Sequence, residues 1–377
     1  MSSIRVFLVD DTAVIRRVLT QILEEEPDIV VAGTASNGIE ALQRLPRVEA
    51  DIIVLDVEMP GMGGLDMLRE LRRLGSTLPV LLFSSVTERG AMVTIEALLL
   101  GANDYVTKPS MLGSANAARD HIRLHLLPRI RHLSGRKPPV AVAQAPAAPA
   151  VPRVVKKFSA LGDLLPGTVD AIVIGISTGG PIALGELVPK LIANLPVPVF
   201  IVQHMPAFFT RALSQRLDKL SQIPVIECDQ PQLVEPGTVW LAAGGQHMVL
   251  ERDGLSVIVR PDHAEPENFC RPSADVLFRS AARVYGARTL AVVMTGMGQD
   301  GLEGARAVRE AGGQVLIQDE LSSVVWGMPG AVHQAGLANQ VLPLDELAEE
   351  IMKRLKVSRP WFVLPEPEFI PAEGGAA

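Results

Sequence analysis

The sequence predicts an α/β protein of two parallel-sheet domains joined by a linker, and three features of its 377 residues carry that expectation. Residues 3–126 alternate short apolar runs with amphipathic stretches, residues 127–167 lose that rhythm, and residues 168–356 resume it. The first apolar runs are Ile4–Val9, Ile29–Ala32, Ile52–Leu55, Pro79–Ser84 and Tyr105–Thr107. Short strands with helical patterns between them indicate a parallel sheet. The middle segment holds Pro128, Pro138, Pro139, Pro146, Pro149 and Pro152 among alanines and basic residues. Proline removes backbone donors and restricts the chain, so an extended, semi-rigid linker is expected there. In the second domain Ala171–Ile176, Val197–Gln203, Val239–Ala242, Thr289–Thr295 and Gln314–Gln318 read as strands. Residues 357–377 are rich in Pro, Glu and Ala and read as a tail, in which Trp361, Phe362 and Phe369 suit docking on a partner or packing back on the domain.

Composition narrows the classes. Apolar residues make up 48% of the chain and charged residues 20%, ordinary for a soluble globular protein. A net charge of −7 argues against a dominant nucleic-acid binder. Two cysteines, Cys228 and Cys270, are too few for a secreted disulfide framework and are expected as buried, reduced thiols. His121 and His125 stand four apart with no third ligand in view, so a solvated helix face is expected rather than a metal site. The chain enters its first strand at Ile4 without a signal-peptide pattern, and no apolar run reaches bilayer length. A cytoplasmic protein without direct membrane insertion is the expectation.

The first chemical cluster is acidic. Asp10 and Asp11 follow the first strand and Asp56 ends the third. The carboxyl ends of neighbouring parallel strands converge on one edge, where ligands bind. Carboxylates gathered there repel one another unless a cation joins them, and oxygen ligands favour Mg²⁺. Ser84 ends the fourth strand, and Lys108 follows the fifth, ahead of Pro109. A carboxylate, a metal, a hydroxyl and a lysine on one edge form a site for aspartyl phosphate, with Asp56 as the phosphoacceptor. On Val9-Asp10-Asp11, Leu55-Asp56, Glu58-Met59-Pro60, Ser84 and Lys108-Pro109, the segment resembles a response-regulator receiver domain over its whole length. The resemblance implies a flavodoxin-like (βα)5 fold and assigns Tyr105 to the aromatic switch position.

The second cluster surrounds a serine. Gly175-Ile176-Ser177-Thr178-Gly179 fits G-x-S-x-G after a strand. The loop lacks a Walker lysine and the G-x-G-x-x-G fingerprint, which weakens nucleotide readings. His204 lies just after the next strand, and Asp300 follows a later strand in Thr295-Gly296-Met297-Gly298-Gln299-Asp300. All three fall on strand-end loops of one sheet, as a nucleophile, its base and an orienting carboxylate require. Backbone N–H groups near Met297 offer part of an oxyanion hole, and Thr178 a means of positioning serine or substrate. A rival set in the usual α/β-hydrolase order, Ser177, Asp300 and His333, remains open on these grounds.

From about Ala171 to Leu355 the chain resembles the catalytic domain of chemotaxis response-regulator protein-glutamate methylesterase/glutamine deamidases. The likeness lies in Ser177-Thr178-Gly179-Gly180, Gln203-His204-Met205-Pro206, Cys270-Arg271-Pro272-Ser273, Asp275-Val276-Leu277-Phe278, Thr295-Gly296-Met297-Gly298 and Gly327-Met328-Pro329-Gly330. It implies a doubly wound, mostly parallel serine-hydrolase domain with Ser177, His204 and Asp300 as its triad. It also implies methylated chemoreceptors as substrate, a chemotaxis histidine kinase as phosphodonor, methanol and glutamate as products, some glutamine deamidation, and no cofactor for ester hydrolysis. Three alternatives stand beside it: a general carboxylesterase, a receiver driving a DNA-binding output, and an inactive docking homologue.

Overall fold

A computed structural model of the chain describes residues 3–109, 115–135, 169–193 and 195–355. Residues 136–167 of the expected linker and the whole expected tail lie outside these residues. The first sheet is built from β1 (Ile4–Val9), β2 (Ile29–Ala35), β3 (Ile52–Asp56), β4 (Val80–Ser84) and β5 (Asp104–Thr107). Its order is β2-β1-β3-β4-β5 with every pair parallel. The helices are α1 (Ala13–Glu24), α2 (Gly38–Arg44), α3 (Gly64–Arg73), α4 (Glu88–Leu99) and α5 (Ala115–Leu133). Every residue of β3 and β4 is buried, as befits central parallel strands covered on both faces.

One boundary differs from expectation. The linker was expected to begin at residue 127, yet α5 continues through Pro128 to Leu133. Proline inside a helix forfeits a hydrogen bond. Here Leu126, Leu127 and Ile130 are buried in the core, and Arg131 donates to Asp28 and Glu26 at 2.6–2.8 Å. Packing and ion pairing outweigh the local propensity. His121 and His125 also differ from a solvated face: both are half-buried, their rings 4.5 Å apart, with His121 Nε2 2.9 Å from the Thr107 carbonyl.

The second domain runs β6 (Ala171–Ile176), α6 (Gly180–Leu187), β7 (Val199–Gln203), α7 (Ala207–Leu220), β8 (Val225–Cys228), β9 (Gln232–Leu233) and β10 (Val239–Ala242). It continues with β11 (His247–Asp253), β12 (Ser256–Asp262), α8 (Ala274–Tyr285), β13 (Thr289–Val293), α9 (Leu302–Glu310), β14 (Gln314–Gln318), α10 (Met328–Gln334), β15 (Gln340–Leu342) and α11 (Leu344–Leu355). A seven-stranded parallel sheet has the order β15-β14-β13-β6-β7-β10-β8. The strand order reverses between β6 and β13, and such a switch point opens a crevice at the carboxyl ends of its strands. A smaller antiparallel sheet, β11-β12-β9, packs alongside. The sequence reading missed this hairpin, although Gly254, with φ 58° at the first place of the two-residue turn Gly254-Leu255 between two apolar runs, is its turn signal.

The two domains share one continuous apolar cluster. Ile95 and Leu98 of α4 belong to it together with Leu184 and Leu187 of α6 and Phe209 and Leu213 of α7. Tyr105 stacks on Phe209 with ring centroids 4.6 Å apart. At the end of α5, His132 Nε2 lies 2.9 Å from the Val324 carbonyl. Among the described residues, no helix is long and apolar enough to cross a membrane.

Candidate active site

The acidic cluster assembles at the carboxyl edge of the first sheet. Oxygens of Asp10, Asp11 and Asp56 lie within 4.8 Å of one another. Asp10 and Asp56 are buried and Asp11 is exposed, so the cluster opens to solvent on one side. Lys108 Nζ bridges Asp10 Oδ2 at 3.0 Å and Asp56 Oδ2 at 2.8 Å. Burial pushes Asp56 up to about 6 in spite of its bond to Lys108, because a carboxylate withdrawn from water disfavours its charge. A largely buried all-oxygen set with excess negative charge fits a hard divalent cation. Ser84 is fully buried and its Oγ accepts from Thr94 Oγ1 at 2.7 Å.

At the switch point of the second sheet, β6 delivers Ser177. The Ser177 N–H donates to the Thr295 carbonyl beyond β13 at 2.9 Å, and the Ser177 carbonyl accepts from Gln203 Nε2 at 3.0 Å. Gly179 holds φ 80°, and a Cβ there would stand 2.6 Å from Val324 Cγ2. Glycine alone takes that backbone without strain, which explains the sharp turn from strand to helix. Thr178 is buried, its carbonyl accepting from Thr295 Oγ1 at 2.9 Å. Met297 is part-exposed at the same edge.

His204 follows β7, its N–H bonded to the Ile176 carbonyl at 3.2 Å. Its Nε2 lies 2.8 Å from Asp300 Oδ2, and its Nδ1 lies 3.6 Å from Cys270 Sγ. Burial pulls His204 down, but Asp300 and Cys270 outweigh it and hold its pKa up at about 9. For Asp300 burial works upward, yet His204 and several N–H and O–H donors keep it well below the usual carboxylate range. Three of those donors sit at the start of α8 and the fourth, Asn268, in the turn before it. Ala274 N donates to Oδ2 at 2.6 Å, while Ser273 Oγ at 2.8 Å, Asn268 Nδ2 at 3.0 Å and Asp275 N at 3.2 Å donate to Oδ1. A carboxylate at a helix N-terminus also gains from the helix dipole.

Asp300 therefore pairs with His204, while His333 lies against Trp326 with ring centroids 5.4 Å apart. Ser177 and His204 share the strand edge, but no hydrogen bond joins the Ser177 hydroxyl to His204 among the described residues. Cys228 is buried as expected, whereas Cys270 is half-buried because it borders the His204 ring. The contacts of Asn268, Ser273 and Asp275 to Asp300 were missed. They lie far from Asp300 in the chain, and nothing in local spacing brings them to it.

A cavity of about 430 Å³ opens beside His204. Tyr105, His125 and Arg129 form its wall on the side of the first domain, and His204, Phe269 and Cys270 line the other.

Known proteins resemble both halves of the chain. The family profile described as a response regulator receiver domain matches residues 6–117, and that of CheB methylesterase matches residues 172–351. A protein-glutamate methylesterase/protein-glutamine glutaminase of Trichodesmium erythraeum is 46% identical over 94% of this chain and 100% of its own length. One from a Nocardioides species is 45% identical over 96% of this chain and 98% of its own. A crystal structure of the Thermotoga maritima CheB methylesterase catalytic domain is 39% identical, covering 50% of this chain and 99% of that one with a TM-score of 0.48. The chain thus belongs to the protein-glutamate methylesterase/protein-glutamine glutaminase family, hydrolases in which a response regulator receiver domain precedes a CheB methylesterase domain.

Proposed function

We propose that the chain hydrolyses glutamyl methyl esters on chemoreceptors to glutamate and methanol, deamidates some receptor glutamines at the same site, and is activated by phosphorylation of Asp56. What carries this reading is the bonded His204–Asp300 pair beside Ser177 at the switch point of the sheet. Ser177 Oγ attacks the ester carbonyl and His204 takes its proton. Asp300 on Nε2 leaves Nδ1 as the nitrogen that exchanges the proton. The tetrahedral oxyanion develops near the Met297 turn, where backbone N–H groups would stabilise it, with Thr178 positioning the serine. His204 then protonates the departing methanol. Water, deprotonated by His204, cleaves the acyl-enzyme and restores Ser177.

Asp10, Asp11 and Asp56 would hold Mg²⁺, which supplies neutralising charge for an incoming phosphoryl group. Asp56 accepts that group from a chemotaxis histidine kinase, and Lys108 pairs with its charge from the opposite side. Ser84 and Tyr105 would then follow the phosphoryl group, shifting the surface formed by α4 and β5. That surface packs on α6 and α7 and walls the cavity at His204, which supports autoinhibition of the unphosphorylated chain.

Part-exposed or fully exposed Phe208, Phe269, Met297 and Leu321 follow β7, β12, β13 and β14. Exposed apolar side chains on the segments after several strands favour a protein substrate over a small ester.

The test is methanol release from a methylated chemoreceptor by the full chain, with and without Mg²⁺ and a small phosphodonor, using Ser177→Ala as blank. Release that needs Ser177 and rises with phosphodonor is the expected result. Release equal to the blank under both conditions would overturn the reading for that receptor.

A further inference from the structure

Among the described residues, Asn268 and Phe269 are the non-glycine residues with positive φ, at 52° and 61°. They form the centre of a turn closed by paired backbone bonds, Glu267 N to Cys270 O at 3.1 Å and Cys270 N to Glu267 O at 2.8 Å. Two left-handed residues in succession are characteristic of a type I′ turn, where Asn-Gly is the usual pair. A phenylalanine in the second place strains the backbone, and strain of this kind persists only where surrounding structure imposes it. Phe269 itself is fully exposed, so burial of its ring does not offset that strain.

The strained turn brings two groups to the triad and ties a third to α8. Asn268 Nδ2 donates to Asp300 Oδ1 at 3.0 Å and to Asp275 Oδ2 at 2.8 Å. Cys270 Sγ reaches His204 Nδ1 at 3.6 Å. Glu267 pairs with Arg279 of α8 at 2.7 Å, fixing the turn against that helix. Asp275 is the awkward member of this group. It is 2% exposed, as is Asp300, and its second oxygen accepts from Gly304 N at 2.6 Å. Two buried carboxylates this close repel, and sharing one proton is the usual relief. A protonated Asp300 could not serve as the acceptor that fixes the tautomer of His204.

We propose that Asn268 is a positioning residue for ester hydrolysis, its amide bridging Asp275 and Asp300 so that Asp300 stays ionised and aimed at His204. This rests on the Ser177–His204–Asp300 reading. The amide supplies one donor to each carboxylate and no charge of its own, and the positive φ of residue 268 is what places it between them.

The experiment compares Asn268→Gly and Asn268→Asp in the full chain, with Ser177→Ala and Asp300→Asn alongside. Steady-state methanol release from a methylated chemoreceptor, with Mg²⁺ and phosphodonor, is followed from pH 6 to 8. Asn268→Gly suits the backbone and removes the amide. Its kcat should fall about tenfold, for the loss of the hydrogen bond to Asp300, with KM within about twofold. Asn268→Asp keeps the turn but replaces the donor with a third carboxyl. Its rate relative to the parent should rise as pH falls, because the introduced carboxyl regains a donor on protonation. If Ser177→Ala and Asp300→Asn are inactive while Asn268→Gly keeps the parent kcat, this inference alone is overturned. If Ser177→Ala or Asp300→Asn keeps the parent rate, the triad fails and the inference with it.

Discussion

The contact between α4 and α6 gives a direct way to separate inhibition from catalysis. Gly185 lies within α6, and a Cβ added there would stand 2.5 Å from Leu99 Cδ2 at the end of α4. Glycine inside a helix costs about 1 kcal/mol relative to alanine, so substitution favours α6 itself. Across the domain contact the same change overpacks. Extra methylenes forced into a filled contact cost about 1–3 kcal/mol. Leu99 can turn its side chain, so Gly185→Ala falls at the low end and Gly185→Leu at the high end. At about 1.4 kcal/mol per factor of ten, the ratio of closed to open chain falls about 5- to 150-fold. Methanol release by unphosphorylated Gly185→Leu should rise by a factor in that range, up to the rate of the phosphorylated parent. Added phosphodonor should then raise it little further. The melting temperature of the catalytic domain should not fall. An unphosphorylated rate equal to the parent, with phosphodonor stimulation intact, would refute the idea that this packing restrains the site.

Other outcomes test the remaining links. Tyr105→Ala removes the stack on Phe209 and should raise the unphosphorylated rate about tenfold in the same assay, since an aromatic pair and its burial together contribute about 1–3 kcal/mol. Asp56→Asn, or chelation of divalent cations, should abolish stimulation by phosphodonor, read as the ratio of rates with and without it. His204 is held up at about 9 and must be neutral to accept a proton, so kcat of the unphosphorylated chain should climb as pH rises from 7 towards 9. Asp300→Asn removes the carboxylate that favours imidazolium. The climb should then move to lower pH while kcat falls by about 10⁴, as loss of the correct tautomer does in serine proteases. A profile unmoved by Asp300→Asn would break the link between the two residues.

Much of this arrangement could be read along the chain because parallel α/β sheets place ligand groups at strand ends. Asp10, Asp56, Ser84 and Lys108 each sit at or just past a strand of the first sheet, and Ser177, His204 and Asp300 do so in the second. A short apolar run followed by a glycine-rich or polar turn is a local signal, so strand ends can be located without knowing which strands are neighbours. Where local signals compete with packing they failed. Pro128 marked a break, but the buried face of α5 and the ion pairs of Arg131 carried the helix on to Leu133.

The sequence by itself determined the two α/β units, the acidic edge of one, the serine loop of the other and the family to which both belong, because all of these reside in short contiguous motifs. Only the tertiary structure decided that Asp300 meets His204 while His333 meets Trp326. It likewise decided that the α8 N-terminus and Asn268 hold Asp300, and that α4 and Tyr105 pack on the helices beside the site. These partners are separated by long stretches of chain. Their meeting depends on strand order and on how two buried apolar surfaces close, which no local periodicity records.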